Sequence, residues 1–142
     1  MSRDLVPSVV GRQPVAEATQ FCISMEDKPG VLAKLCAALS RAKVNIAAIF
    51  VSHDKDCCWV NLVVSSPSAA RELLTVEGYN FFTEKVLIFR LDDQPGSLER
   101  LSSHLSEAGV NISYVYGSCT DNTCTLVLGA GDLDRAAKVI GD

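Results

Sequence analysis

One stretch of the chain combines an acidic residue, a Pro-Gly turn and an asparagine, running from Asp27 through Pro29 and Gly30 to Asn45 and Ile46. Glycine at a helix start lets a ligand approach the backbone N–H groups that the helix leaves unpaired, and this end attracts anions. The carboxylate of Asp27 favours an ammonium group, and the amide of Asn45 can bind either group. Together these residues favour a zwitterion, although Asp27 and Asn45 taken singly are also typical of helix caps.

The same pattern returns 66 residues later. Residues 93–112 match residues 27–46 at 11 of 20 positions without a gap. The second copy places at the equivalent positions Asp93, Pro95, Gly96, Asn111 and Ile112. Repetition at a fixed offset indicates two copies of one structural unit. Because Val31 in the first copy corresponds to Ser97 in the second, we expect the two ligand pockets to be unequal.

Hydrophobic periodicity predicts the elements that position these loops. Each copy has an apolar stripe at helical spacing, which predicts a helix over 30–42 and its equivalent, with Pro29 and Pro95 setting the first turns. The stripe residues are Leu32, Leu35, Leu39 and Ala42, and then Leu98, Leu101, Leu105 and Ala108. Further helices are expected to start at Ser66-Pro67 and at Asp132. Apolar β-rich runs predict strands at 20–25, 58–64, 79–83, 86–91 and 124–130.

The order of these elements predicts an α+β fold of two ferredoxin-like βαββαβ units, with antiparallel sheets and helices on one face. We assign residues 1–16 to an N-terminal extension, 17–83 to the first unit and 84–142 to the second. The second unit is expected to lack its own last strand, since 79–83 shifted by 66 falls after residue 142. The segment DLVPSVV at 4–10 is the predicted strand that covers this edge.

The amino-acid composition and the net charge limit the functions and partners to be expected. The 142 residues are 48% hydrophobic, enough for a packed core, and 13 basic against 17 acidic residues give a net charge of −4. Without a basic cluster, nucleic acid is not an expected partner. No segment predicts a signal peptide or a membrane span, so we expect a cytoplasmic protein. The six cysteines are therefore expected to be reduced thiols.

The pattern D-x-P-G-x-L-x-x-L-x-x-x-L-x-x-A-x-V-N-I at 27–46 and 93–112 resembles the ACT domain, a regulatory module that binds amino acids. The resemblance implies binding between paired domains through the strand-to-helix loop and the start of the second strand. The implied ligand-binding residues are Asp27, Pro29, Gly30, Val31, Leu32, Asn45 and Ile46, with Asp93, Gly96, Ser97, Leu98, Asn111 and Ile112 in the second copy. No cofactor is implied.

The resemblance also implies an arrangement of the two units. Paired ACT units often join through their second strands into one eight-stranded sheet. Asp27 would then face Asn111, and Asp93 would face Asn45. Serine-binding members carry a His two residues before the acidic position, where this chain has Met25, or Leu91 in the second copy. This difference weakens the case for serine, and the site would tolerate a more apolar ligand.

Three other functions are alternatives to ligand binding. Catalysis has little support, because His53 and His104 are the only histidines and His104 lies away from the leucine stripe. A metal or redox site is an alternative in the hairpins, which carry soft ligands. These are His53, Asp54, Asp56, Cys57 and Cys58 in one copy, and Cys119, Asp121 and Cys124 in the other.

The third alternative is an interaction platform that binds no small ligand. Its candidate contact residues are Trp59, Tyr79, Phe81, Phe82, Tyr114 and Tyr116, although alternating strand positions usually face a core. The sequence favours a non-catalytic regulatory protein that binds an amino acid. It would signal to a regulated enzyme or another protein, and a homodimer is possible.

Overall fold

The computed structural model describes residues 15–141, which form six strands and four helices and confirm the predicted α+β class. In chain order these are β1 Val15–Glu26, α1 Val31–Arg41, β2 Ile46–Asp54, β3 Cys57–Val64, α2 Pro67–Val76, β4 Asn80–Asp92, α3 Ser97–Glu107, β5 Ile112–Thr120, β6 Thr123–Ala130 and α4 Leu133–Gly141. Over these residues, none of the helices is both long and apolar enough to cross a membrane.

The chain divides into two compact units, and the boundaries fall inside strands. Unit 1 contains Thr19–Glu84, and unit 2 contains residues 15–18 together with the chain from Lys85 onward. Strands β1 and β4 therefore each supply a segment to both units. For this reason residues 15–141 contain six strands, where eight were expected.

The second strands of the two copies pair within their own units. β2 is antiparallel to β3, and β5 is antiparallel to β6. The eight-stranded sheet expected from joining the second strands is therefore not confirmed. The predicted covering strand at 4–10 lies outside the described residues.

In unit 1, β3 lies between β1 and β2 and is antiparallel to both, with Leu62 opposite Phe21 and Ile49. Alternate strand residues face the helices, so Phe21 and Leu62 are fully buried against Leu35 and Leu39 of α1. These two leucines confirm the predicted stripe. Its first member, Leu32, is 37% exposed because it lies in the first turn, at the edge of the packed surface.

Unit 2 repeats this packing around β6, which pairs with β4 and β5. Phe89 of β4, Leu105 of α3 and Leu128 of β6 are all fully buried in one cluster. Val15, at the start of β1, packs against this cluster. The predicted strand at 79–83 is the first part of β4, which continues without a break to Asp92.

The N-termini of α1 and α3 are formed by glycines. Gly30 and Gly96 are the N-caps, with left-handed φ values of 92° and 90°, and neither helix has a side-chain cap. Asp27 is therefore not a helix cap. Pro29 precedes the cap, so the prediction that it sets the first helical turn is wrong, as it also is for the equivalent Pro95. The left-handed glycine reverses the chain before the helix begins.

Gly30→Ala is expected to lower the free energy of unfolding by about 1–2 kcal/mol, because an L side chain disfavours this backbone conformation. The space around Gly30 is open, so backbone strain is the whole effect. Gly131→Ala is the matched control, since its surroundings are equally open and its φ lies outside the left-handed region. Urea titrations in which both variants lose the same stability would contradict this explanation.

Candidate functional site

In unit 1 the loop acid contacts the hairpin that joins β2 to β3. The backbone N–H of Asp27 donates to the carbonyl oxygen of Asp56 at 3.1 Å. The carboxylate oxygen Oδ2 lies 2.9 Å from Nδ1 of His53, and both side chains are substantially exposed. These two contacts fix the loop against the hairpin. The second of them occupies the Asp27 carboxylate, which was predicted to contact a ligand.

In unit 2 the equivalent loop contacts the β5–β6 hairpin. The backbone N–H of Asp93 donates to the carbonyl oxygen of Asn122 at 2.9 Å. A disulfide joins Cys119 and Cys124, which are opposite each other in the strand register. The expectation that all six cysteines are reduced is therefore wrong for this pair, because the hairpin brings the two sulfurs together. The other four, Cys22, Cys36, Cys57 and Cys58, are free.

A surface pocket of about 230 Å³ lies beside the loop of unit 1, and we call it the unit 1 pocket. The end of β1, the first turn of α1 and the residues after α2 form it. It is lined by Met25, Glu26, Lys28, Val31, Lys34, Glu77, Gly78 and Tyr79. Glu26 and Lys28 form an exposed ion pair at 3.3 Å. Burial raises the pKa of Tyr79, and the charge of Glu77 raises it further, so its hydroxyl is a hydrogen-bond donor at neutral pH.

The unit 2 pocket, of about 200 Å³, occupies the equivalent place. It is lined by Leu91, Asp92, Ser97, Arg100, Leu101, His104, Val139 and Ile140. Four of these residues follow their unit 1 counterparts by 66 positions: Leu91 for Met25, Asp92 for Glu26, Ser97 for Val31 and Arg100 for Lys34. At equivalent positions, each pocket therefore has an acid from the end of its unit's first strand and a base from the following helix, and the unit 1 pocket has Lys28 and Glu77 in addition.

The structure brings only some of the predicted ligand-binding residues together. Val31 lines the unit 1 pocket and Ser97 lines the unit 2 pocket. Asn45 and Ile46 instead line a separate pocket of about 400 Å³ at the other end of α1. Asn45 is held there through its backbone, since its N–H donates to Ser65 Oγ at 3.0 Å and its carbonyl oxygen accepts from Ser65 N.

Within each unit the loop acid and the asparagine lie at opposite ends of the second strand. Strand β2 has nine residues, so it separates Asn45 from the hairpin that holds Asp27 by roughly 30 Å. The same holds in unit 2 for Asn111 and Asp93, across β5. The pairs Asp27 with Asn111 and Asp93 with Asn45 would join different units, and they remain predictions.

The other predicted residues are distributed between solvent and core. Pro29 and Gly30 are exposed in the turn, and Leu32 and Leu98 are 37% and 48% exposed. The remaining predicted residues have structural contacts. Ile46 and Ile112 pack against the cores of their own units, Gly96 is the helix cap, and the Asn111 carbonyl accepts from Gly131 N.

The acid and the base at equivalent positions of the two pockets are not identical residues, so the identities between the copies do not reveal them. Glu26 and Asp92 share a charge without sharing identity, and so do Lys34 and Arg100. A comparison of the two copies by charge at the 66-residue offset would have found them. Tyr79 has no such signal, because the residues after α2 come near the pocket only in the folded unit.

Residues considered for the alternative functions have defined surroundings. His104 is exposed, and it lines the unit 2 pocket. The Cys58 thiol donates to the Glu26 carbonyl at 3.7 Å, and its pKa is raised by burial and by the charge of Asp27. Cys57 contacts Ser24 Oγ at 3.3 Å. The aromatic candidates contact one another: Trp59 with Phe82, and Tyr114 with Tyr116.

Solved structures with the same fold cover most of the chain. Protein BT0572 from Bacteroides thetaiotaomicron superposes with a TM-score of 0.83 at 25% identity, over 87% of this chain and 85% of that one. The regulatory subunit of aspartate kinase from Thermus flavus superposes with a TM-score of 0.68 at 16% identity, over 94% and 97%. The ligand-free regulatory subunit of aspartate kinase from Thermus thermophilus superposes with a TM-score of 0.66 at 14% identity, over 94% of this chain and 97% of that one.

The sequence also matches a model of a known protein family. A family model described as an ACT domain pair matches residues 17–142, which is most of the chain. No curated protein is significantly similar in sequence. The match spans both copies of the repeated motif, so it applies to the pair of units as a whole.

Proposed function

This chain belongs to the ACT domain pair family, and from that premise we propose that it is a non-catalytic regulatory protein that binds a small amino acid or similar zwitterion. The observation that carries the proposal is the acid and base found at equivalent positions of the two pockets. Glu26 and Lys34 supply them in unit 1, and Asp92 and Arg100 supply them in unit 2.

A free amino acid matches this distribution of charge. Its ammonium group would lie near the acid of each pocket, and its carboxylate would lie near the base and the N-terminal turn of the helix. In unit 1, Tyr79 adds a neutral donor. Val31 favours an apolar ligand side chain there, whereas Ser97 can hydrogen-bond a polar one in unit 2.

The site proposed from the family resemblance extends beyond these pockets. It includes the turn residues Asp27, Gly30 and their equivalents, together with Asn45 and Asn111 supplied by the opposite unit. We propose that the pocket charges hold the main chain of the ligand and that its binding changes the conformation of the turn residues, which adjoin the pocket residues in sequence. The response would pass to another protein, either a regulated enzyme or a second copy of this chain, in the cytoplasm.

A second candidate function is protein binding without a small ligand. It is favoured by three consecutive apolar residues of β2, Ile49, Phe50 and Val51, which are 42%, 46% and 44% exposed. Neighbouring strand residues face opposite sides, so apolar surface is presented on both faces of this strand. An amino-acid screen separates the two candidates.

We expect one or a few of the twenty amino acids to raise the thermal unfolding temperature. A ligand at about 100 times its dissociation constant stabilises the folded state by about 2.7 kcal/mol. Lys34→Met should remove the effect in the unit 1 pocket, and Arg100→Met should remove it in the unit 2 pocket. Calorimetric titration of the two variants would show which pocket is occupied.

Lys138→Met is the control for this experiment, since Lys138 is an exposed lysine of α4 outside both pockets. The exchange variants Val31→Ser and Ser97→Val test whether these positions set ligand preference, because each gives one pocket the residue of the other. An absence of response to all twenty amino acids would overturn the amino-acid proposal and favour protein binding through β2.

A further inference from the structure

Three potential metal ligands lie together at the tip of the β5–β6 hairpin in unit 2. One ligand atom each from Asp93, Cys119 and Cys124 lies within 4.8 Å of the other two. Two of them are fixed by the strand register, which places Cys119 opposite Cys124. Within residues 15–141 this is the only group of three such side chains that meets this distance.

The third ligand is positioned independently of the disulfide. The backbone hydrogen bond from Asp93 to Asn122 holds the loop on the hairpin turn, where Asp121 and Asn122 have φ values of 53° and 64°. A two-residue turn with positive φ at both positions matches the twist of its flanking strands. The three side chains are thus expected to stay close when the sulfurs are not bonded to each other.

We propose that Asp93, Cys119 and Cys124 bind a thiophilic divalent cation such as Zn²⁺ when the Cys119–Cys124 disulfide is reduced. Two thiolates and a carboxylate are ligand types that Zn²⁺ takes, and three protein ligands leave a fourth position for water. Asp93 and Cys119 are exposed and Cys124 is half-buried, so an ion can reach the site from solvent.

The oxidation state of Cys119 and Cys124 controls whether the site can bind a cation, because the same sulfur atoms form either the disulfide or the metal ligands. A dithiol reductant supplies two electrons and two protons, the S–S bond breaks to give two thiols, and the reductant becomes a disulfide. Cation binding then releases one proton from each thiol to solvent, since the thiolate is the ligand form.

Unit 1 provides an internal comparison. Its residues at the same positions are Asp27, His53 and Cys58, which are also metal-ligand types. There His53 contacts the Asp27 carboxylate at 2.9 Å, while the Cys58 thiol is directed to the Glu26 carbonyl. The three ligand atoms are not gathered as they are in unit 2, so the proposal applies to unit 2 alone.

The test is a Cd²⁺ titration of the full chain followed by thiolate-to-metal charge-transfer absorption, with Zn²⁺ as competitor. The protein is first reduced with a phosphine, which takes an oxygen from water to become phosphine oxide, and the excess is removed without air. We expect one tightly bound ion per reduced chain, displaced by Zn²⁺, and none in the oxidised chain. This readout does not depend on any amino-acid ligand.

Two variants test the proposed ligands, and a third is the control. Cys119→Ser should lose the absorption, while Asp93→Asn should bind more weakly with unchanged absorption per bound ion, because both thiolates remain. Cys57→Ser, in the hairpin of unit 1, should behave like wild type. Circular dichroism checks that each variant is folded, and Cys124→Ser replaces Cys119→Ser if that variant is not. Equal binding by oxidised and reduced protein, no binding by reduced protein, or loss of binding in Cys57→Ser would overturn the proposal.

Discussion

Phe89→Ala is expected to lower the free energy of unfolding by about 3–5 kcal/mol, the usual cost of removing a buried aromatic ring. Phe89 is fully buried on the helix-facing side of β4, in the same cluster as Leu105 and Leu128. The deletion removes apolar burial and leaves a cavity that a close-packed core fills only in part. Urea denaturation should show a lower midpoint.

Phe82→Ala is the matched control, because Phe82 lies on the same strand but is 50% exposed. Its ring makes an edge contact with Trp59, with centroids 5.6 Å apart. Losing that contact should cost only about 0.5–1.5 kcal/mol. If Phe82→Ala proved as destabilising as Phe89→Ala, burial of the ring would not explain the cost of removing Phe89.

Gly117→Ala is the second substitution expected to be severe. Gly117 is opposite Leu126 in the β5–β6 register, and an added Cβ would overlap the carbonyl oxygen of Thr125. It would also lie 2.7 Å from Leu126 Cδ2. A backbone oxygen cannot move away without disturbing the strand pairing, so we expect a loss of about 1–3 kcal/mol or more.

Gly129→Ala tests this reasoning on the neighbouring strand. Its Cβ would overlap the ring of Tyr114, which is the far end of a side chain and can rotate. We therefore expect a smaller loss than for Gly117→Ala under the same thermal or urea denaturation. A larger loss for Gly129→Ala would show that the tyrosine is fixed and that β6 can adjust at Thr125.

The repeated motif allowed the unit fold to be predicted, because it combines a helical stripe with flanking strands at one offset. Leu35 and Leu39 were expected in the core and are buried there. The sharing of strands could not be predicted in this way, because apolar runs at 79–83 and 86–91 leave open whether the chain bends between them. The close contact of Gly117 with the neighbouring strand could not be predicted either. The equivalent residue of the first copy is Val51, so the repeat does not show that glycine is required there.

The candidate site was predicted less completely than the fold. Identity between the copies led to Asp27 and Asn45, but the hairpin holds the first and a different pocket contains the second. Residues that are identical in both copies are those that both units need in order to fold. A turn acid that bonds to the neighbouring hairpin is such a residue. The two pockets instead share charged residues at equivalent positions but differ in shape, as Val31 and Ser97 illustrate.

The boundary between the two units has a consequence for how such a protein can evolve. Glu84 and Lys85 are consecutive residues in the middle of β4, and the other boundary, at Ala18, lies within β1. Duplicated domains joined by a linker can be exchanged singly by recombination. Here a crossover at either boundary would cut a strand that both copies use, so the duplicated pair is expected to be inherited as one indivisible module.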